Sequence, residues 1–392
     1  MMRFFFFALQ FTAVVCIFHY LLNLSIIKFF SISAPFTQKS ITRLMFFMSV
    51  SFMPAAMLLR FYPSGITRIF YILSATWLGL FIYLLLAAGL CWLVFGLGKL
   101  FFSSVPNMRA LCLFGFSIAV LVSLHGIWRA QHPEIKPIDI TIKNLPDAWQ
   151  NKKIVQLSDV HLGAINSARF MQRVADQVNR LHPDLILITG DLFDGMGNDL
   201  KNDISALNSL TASKGVYFVT GNHEGYLGLL KPLSILRQTH IRVLNNEVVD
   251  LDGLQILGIS YPDYRIRNHT RRLLSSAGGY DADKPSILMY HTPTNIAEFH
   301  TDRGSQQTKT YWRPDTRMTL AKETGIDLQL SGHAHHGQLF PFNFLTRAIY
   351  NGYDYGLHRD GDFQLYVSSG TGTWGPPMRV GTSSEIVVIT LR

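Results

Sequence analysis

Five short clusters carry the chemistry this sequence could perform. They are Asp159-Val160-His161, Gly190-Asp191-Leu192-Phe193-Asp194, Gly221-Asn222-His223-Glu224, the single His291, and Gly332-His333-Ala334-His335. Each closes an apolar run that reads as a strand, and a glycine ahead of three of them lets the backbone turn sharply and approach a ligand closely. On extended backbone, Asp-x-His and His-x-His put two ligands on one face, because side chains repeat every two residues. The donors are carboxylate, amide and imidazole, with no sulfur. That mixture suits Mn²⁺, Fe or Zn²⁺ better than Mg²⁺ or Ca²⁺. Two such cations about 3.5–4 Å apart convert a shared water to hydroxide near neutral pH. Any one cluster alone has an ordinary reading: a solvated loop, a turn after a strand, a satisfied core histidine. All five in this order, each at a strand end, point to a metal centre in which Asp191 bridges two ions.

The elements that must position these residues follow from the apolar pattern. Leu185 to Thr189 is a short apolar run stopped by Gly190, the pattern of a parallel strand covered on both faces. Side chains at the carboxyl end of such a strand reach the crevice where open α/β sheets place their ligands. From Lys152 onward, strands are expected at Ile154–Leu157, Leu185–Thr189 and Val216–Thr220. Helical spacing alternates with them at Ser167–Arg180, Ile204–Leu210 and Leu227–Leu236. Strand character then dominates, at Val243–Val249, Gln255–Ile259, Ser286–Tyr290, Leu328–Leu330, Phe363–Val367 and Glu385–Leu391. Alternation followed by mostly strands predicts an α/β fold of two packed sheets with helices outside.

The first third is of another kind. Residues 1–128 hold eight Lys or Arg and no Asp or Glu; the other 27 Lys or Arg and all 26 Asp or Glu lie beyond. The excess of base therefore sits among hydrophobic segments, which argues for membrane topology and against nucleic acid as the partner. Phe4–Ile27, Leu44–Leu59, Ile69–Leu97 and Ala110–Trp128 carry no charge. Three are long enough to cross a core of about 30 Å; the second is short, and Arg43 and Arg60 can snorkel outward from it. Four spans put both termini on one side, and five basic residues on each face leave that side undecided. His19 lies within a span, either as a functional group or as a neutral histidine bonded to a neighbouring helix. The three cysteines, Cys16, Cys91 and Cys112, all fall in this region, so the remainder has no disulfide framework. The expected organisation is a transmembrane region over 1–128, a proline-containing linker over 129–151, and a catalytic domain over 152–392.

The five clusters resemble those of calcineurin-like metallophosphoesterases, whose pattern is D-x-H, G-D-x-x-D, G-N-H-E/D, a lone H and G-H-x-H. The resemblance covers residues 152–392. Leu328–Gln338 and Gly370–Arg379 further resemble a bacterial membrane-attached branch. That branch includes transmembrane proteins with a metallophosphoesterase domain and the UDP-2,3-diacylglucosamine pyrophosphatases of lipid A synthesis. The resemblance implies an αββα sandwich, preceded here by the four-helix transmembrane region. It implies two divalent ions, Mn²⁺ first and Fe or Zn²⁺ as alternatives. Asp159, His161, Asp191 and His335 would hold one, and Asp191, Asn222, His291 and His333 the other. His223 would contact the phosphate and protonate or steady the leaving group, and Asp194 would orient a histidine. Purple acid phosphatases have a tyrosine where Asp194 stands, and protein Ser/Thr phosphatases follow this aspartate with Arg-Gly where this chain has Gly195-Met196-Gly197.

Two departures stand out. Ala334 and His336 replace the Thr and Gly common in that branch, and His336 is either a further phosphate contact or a surface histidine. An insertion around residues 303–317, with Lys309, Tyr311, Trp312 and Arg313, is a substrate clamp, a membrane contact or a solvated loop. Trp374 and Arg379 lie in a Gly- and Pro-rich stretch, read either as a loop beside the site, with Arg379 a candidate substrate contact, or as a structural turn. The function expected is a phosphodiesterase or pyrophosphatase of the cell (inner) membrane. Its partners would be the lipid bilayer and a phosphorylated lipid or nucleotide-lipid substrate. The alternative is a membrane sensor that binds a phosphorylated ligand without turnover.

Overall fold

The computed structural model describes residues 2–101, 105–195, 203–261, 274, 279–296 and 313–392, with side-chain surroundings from residue 9 onward. The chain forms two compact units. One runs through Trp128 and takes in Gly375–Val380; the other begins at Arg129 and includes the five clusters.

The first unit contains helices α1 (Met2–Phe29), α2 (Pro35–Phe61), α3 (Gly65–Phe101) and, through Trp128, α4 (Met108–Gln131). All four are long and apolar enough to cross a membrane. Helix α2, short when judged by its uncharged stretch, runs 27 residues because Pro35 starts it where a missing N–H costs no hydrogen bond. His19 is buried. Trp77 Nε1–H donates to its Nε2 at 2.9 Å, and its Nδ1 lies 2.9 Å from the Val15 carbonyl oxygen, so the neutral ring satisfies both nitrogens. The ring stacks on Phe81 at 3.7 Å. This is the hydrogen-bonded neutral histidine, not a charge within a pathway. The segment Gly375–Val380 packs among these helices: the Arg379 N–H donates to the Gly126 carbonyl at 2.9 Å. At Gly79 a Cβ would stand 2.7 Å from Met378 Sδ, so a larger residue there would have to displace the Met378 thioether.

The second unit is built on two six-stranded sheets. The first has the order β1 (Glu134–Ile140), β12 (Glu385–Leu391), β2 (Lys153–Leu157), β3 (Leu185–Ile188), β4 (Val216–Phe218), β5 (Arg242–Val243). The second has the order β10 (Gly356–Asp360), β11 (Phe363–Val367), β9 (Leu328–Ser331), β8 (Ser286–Tyr290), β7 (Leu254–Ile259), β6 (Glu247–Leu251). Strands β2 to β5 run parallel, as do β7, β8, β9 and β11. Alternation assigns the faces. Leu185 and Leu187 of β3 meet Ile256, Ile287, Met289 and Leu330 of the opposite sheet in one core. Ile186 and Ile188 turn outward to Phe170, Val174 and Val178 of α5 (Ala168–Arg180) and to residues of α6 (Ile204–Asn208) and α8 (Leu230–Leu236), which follows α7 (Asn222–Leu227). On the far side Leu288 and Tyr290 pack under Leu320 and Ala321 of α9 (Thr319–Glu323). The last helix is α10 (Phe342–Ile349). The layers are α, β, β, α.

The structure corrects three expectations. Residues 129–151 are not a linker: β1 pairs in parallel with β12 at the sheet edge, and Ile140, Ile142, Leu145 and Trp149 are buried in the inter-sheet core. Pro137 is tolerated because an edge strand leaves one side unpaired. The helix expected over Leu227–Leu236 begins only at Leu230, parted at Gly228 (φ +79°) from a separate helix over Asn222–Leu227. The single strand expected over Val243–Val249 is likewise two, parted by Asn246 at φ +55°.

Candidate metal centre

The carboxyl ends of five parallel strands, three from one sheet and two from the other, deliver the five clusters to one place. Strand β2 leads to Asp159 and His161, β3 to Asp191 and Asp194, β4 to Asn222 and His223, β8 to His291, and β9 to His333 and His335. The backbone there is not extended. Asp159 and His161 both sit at φ +51°, Asp191 at +49°, His333 at +70° and His335 at +50°. The expectation that Asp-x-His and His-x-His present two ligands from extended backbone is therefore corrected: each pair converges through left-handed turns. Such conformations cost of order 1–3 kcal/mol for a side-chain-bearing residue and cluster where function requires them.

Two donor groups result. In the first, His335 Nε2 is 3.4 Å and His161 Nε2 3.9 Å from Asp159 Oδ1, and the two ring nitrogens face each other at 3.0 Å. In the second, His291 Nε2 is 3.1 Å from Asp191 Oδ2, 3.1 Å from Asn222 Oδ1 and 3.2 Å from His333 Nδ1. Asp191 Oδ2 also lies 4.0 Å from His161 Nε2, so one carboxylate oxygen faces both groups. A third grouping joins His161, Asp194 and His223: His161 Nδ1 is 3.8 Å from Asp194 Oδ1, and His223 Nδ1 is 2.6 Å from the Asp194 carbonyl oxygen.

Glycine makes this convergence possible. A Cβ at Gly332 would fall 2.1 Å from Asp159 Oδ2, and one at Gly190 (φ +92°) would fall 2.6 Å from His291 Nδ1.

The charges bear on what the cluster can bind. Burial, together with the neighbouring Asp191 charge, pushes the Asp159 carboxyl up, although His291 opposes it. Asp191 is also buried, yet His291, His223 and His161 hold it well below the usual carboxylate range. Burial works against a charged His291, but Asp191 and Asp159 raise it to about 10. Burial and the His291 charge lower His333 to about 3, leaving a neutral imidazole, the form that binds metal. Two buried carboxylates and paired imidazoles aimed at one another fit cations, and the oxygen and nitrogen donors, without sulfur, fit Mn²⁺, Fe or Zn²⁺.

One residue of the quoted clusters carries more than sequence reasoning gave it. Glu224 is fully buried. Its Oε2 accepts the N–H groups of Asp191 (3.1 Å) and Gly221 (2.7 Å), and its Oε1 accepts that of Phe193 (3.1 Å). It ties the loops after β3 and β4 together. The available signal was its place directly after Asn222-His223.

The remaining candidates are not among these donors. His336 turns its Nδ1 to Asp354 Oδ2 at 2.9 Å, beside the Tyr355 ring. Arg379 is fully buried in the helical unit and not on an exposed rim. Trp374 is half exposed, 5.9 Å from the His223 ring, and Gln338 clamps its backbone with an amide N–H to its carbonyl (2.9 Å) and an amide oxygen on its N–H (3.0 Å). Of the insertion, Lys309, Tyr311 and Trp312 lie outside the described residues, and Arg313 is exposed.

An αββα sandwich that gathers such donors at its strand ends is a metallohydrolase. The calcineurin-like phosphoesterase family matches residues 152–337. An uncharacterized metallophosphoesterase of Campylobacter jejuni is 36% identical over 263 residues, covering 66% of this chain and 63% of its own length. One from Helicobacter pylori is 30% identical over 385 residues, 95% of each chain. The transmembrane protein with metallophosphoesterase domain of Danio rerio is 31% identical over 346 residues, 82% of this chain and 73% of its own. The chain belongs to the calcineurin-like phosphoesterase family, a class of metal-dependent phosphoester hydrolases.

Proposed function

We propose that this protein is a membrane-anchored phosphodiesterase or pyrophosphatase with a dinuclear metal centre, acting on a phosphorylated lipid or nucleotide-lipid. The observation that carries the reading is Asp191 Oδ2, which faces His291 Nε2 at 3.1 Å and His161 Nε2 at 4.0 Å and so belongs to both donor groups. Asp159, His161 and His335 would complete one site, and Asn222, His291 and His333 the other. Two divalent ions bound there would supply an activated water and neutralise phosphoryl oxygens.

The chain's own residues do the rest. Asp194 faces the far nitrogen of His161, with Oδ1 3.8 Å from Nδ1, and would orient that ring through its charge. His223 commits its Nδ1–H to the Asp194 carbonyl, which leaves Nε2 to carry the proton that a leaving oxygen needs. Glu224 holds the Asp191 backbone in place. Support for a lipid substrate comes from the four membrane-length helices and from the two residues that separate α4 from β1, which tether the catalytic domain to them. The inner membrane as location, and kinship of substrate with the UDP-diacylglucosamine pyrophosphatases, belong to the same reading.

The test is hydrolysis of a generic phosphodiester and the matching monoester by the detergent-purified full chain with Mn²⁺, using Asp191→Ala as the blank. Diester cleavage above the blank supports the reading. Monoester cleavage alone, or no cleavage of either ester or of membrane phospholipids with two metals bound, refutes it.

A further inference from the structure

The catalytic unit carries an apolar surface that its fold does not use. Among the described residues from Arg129 onward, eight large hydrophobic side chains are exposed, and four of them fall within six residues: Phe340 (42%), Phe342 (42%), Phe344 (62%) and Leu345 (50%). They lie on and just before α10, a helix with no buried residue. From Gly337 to Tyr353 the sequence has no acidic residue and one base, Arg347. Exposed aromatic and leucine side chains with no acid among them suit a bilayer interface better than bulk water.

Connectivity says which surface covers it. Phe340 packs at Gly381, where a Cβ would be 3.0 Å from the Phe340 Cβ. Gly381 directly follows Gly375–Val380, the segment that belongs to the membrane-length helices. Thr382 Oγ1 also donates to the Gln338 carbonyl at 2.9 Å. At the same N-terminal end α10 meets the metal-centre turn. At Gly337 (φ +72°) a Cβ would fall 2.4 Å from the Asn343 nitrogen, so the turn carrying His333 and His335 rests on the start of the helix.

We infer that α10 docks into the bilayer interface through Phe342, Phe344 and Leu345 and thereby sets the height of the metal centre above the lipid phosphates. The inference rests on the membrane-anchored reading above, but it does not depend on turnover. Docking makes the enzyme a reader of lipid-borne phosphate, whereas soluble esters reach the centre without it.

Two measurements on the full chain in phosphatidylcholine–phosphatidylglycerol nanodiscs test this. With Cys16, Cys91 and Cys112 changed to serine, a nitroxide is placed at Phe344→Cys and, as an aqueous control, at the exposed Arg237→Cys. The label at 344 should collide with oxygen several-fold more than with a water-soluble nickel chelate, with the reverse ratio at 237. A 344 label as accessible to nickel as the control overturns the proposal. So does dipolar broadening from a second copy, or a label shielded from both reagents by a protein partner. The second measurement compares wild type with Phe342→Ser/Phe344→Ser/Leu345→Ser. KM for a bilayer-embedded phosphodiester should rise about tenfold, with a soluble aryl diester unchanged; equal loss on both overturns the proposal. If no ester is cleaved at all, the phosphoesterase reading falls while the nitroxide result still decides the docking.

Discussion

Glu224 Oε2 accepts the backbone N–H of Asp191 at 3.1 Å, while the same oxygen holds Gly221 at 2.7 Å. This fully buried carboxylate accepts from backbone N–H groups and so fixes the loop that presents the shared ligand. Glu224→Gln places an amide N–H against backbone N–H groups. It should weaken metal binding by about 10–100-fold and destabilise the protein by about 1–3 kcal/mol. Metal titration calorimetry and thermal unfolding read both; wild-type metal affinity in Glu224→Gln would remove its positioning role.

Asp191 and His223 should separate metal binding from turnover. Asp191→Ala removes the oxygen that faces both donor groups, so bound metal and activity should be lost together. His223→Ala should retain metal and lose about 10²–10⁴ in kcat. Elemental analysis of the two purified variants decides; a metal-free His223→Ala contradicts the division of roles.

Trp374 should shape substrate binding. It is held beside His223 by the two-point amide clamp of Gln338. Trp374→Ala should raise KM about fivefold for a diester with an aromatic leaving group, the worth of about 1 kcal/mol of ring contact, with kcat within about twofold. Gln338→Ala should reproduce the effect in part. Unchanged steady-state constants in Trp374→Ala would leave the ring outside the substrate path.

Asp315 gives a pH-dependent contribution to stability. The Arg317 guanidinium, with Nε 2.8 Å from Oδ1, holds the Asp315 carboxyl down to about 2 against its partial burial, and Asn295 Nδ2–H adds a bond at 3.0 Å. A folded pKa below the unfolded value means the stabilisation is complete above about pH 4 and is lost as pH falls toward 2. Because Arg317 is largely exposed, screening reduces the contribution to about 1 kcal/mol. Asp315→Asn should therefore melt below wild type at pH 7, with the gap closing between pH 4 and 2. Thermal unfolding across that range checks it, and a gap constant with pH would assign the loss to geometry instead.

Much of this protein is readable in the chain because local chemistry is enough to specify it. Uncharged runs mark the four helices, since no other use is made of twenty apolar residues in succession. The run from Leu185 to Ile188 marks a doubly covered strand, and glycine before Asp191, Asn222 and His333 marks abrupt turns. What the chain does not display is decided by contacts between residues far apart. The segment 134–140 looks like a linker, with Pro137 within it, until β12, some 250 residues later, gives it a partner. Spacing alone suggested extended backbone at Asp159 and His161, but only the approach of β9 and the absence of a side chain at Gly332 reveal left-handed turns that bring His335 within 3.4 Å of Asp159. Glu224 is an ordinary glutamate in sequence and becomes the tie between two loops only once β3 and β4 lie side by side. Residue types determined which donors exist and in what order; tertiary structure decided which of their atoms share a site, because that depends on strand pairing and close approach across two sheets.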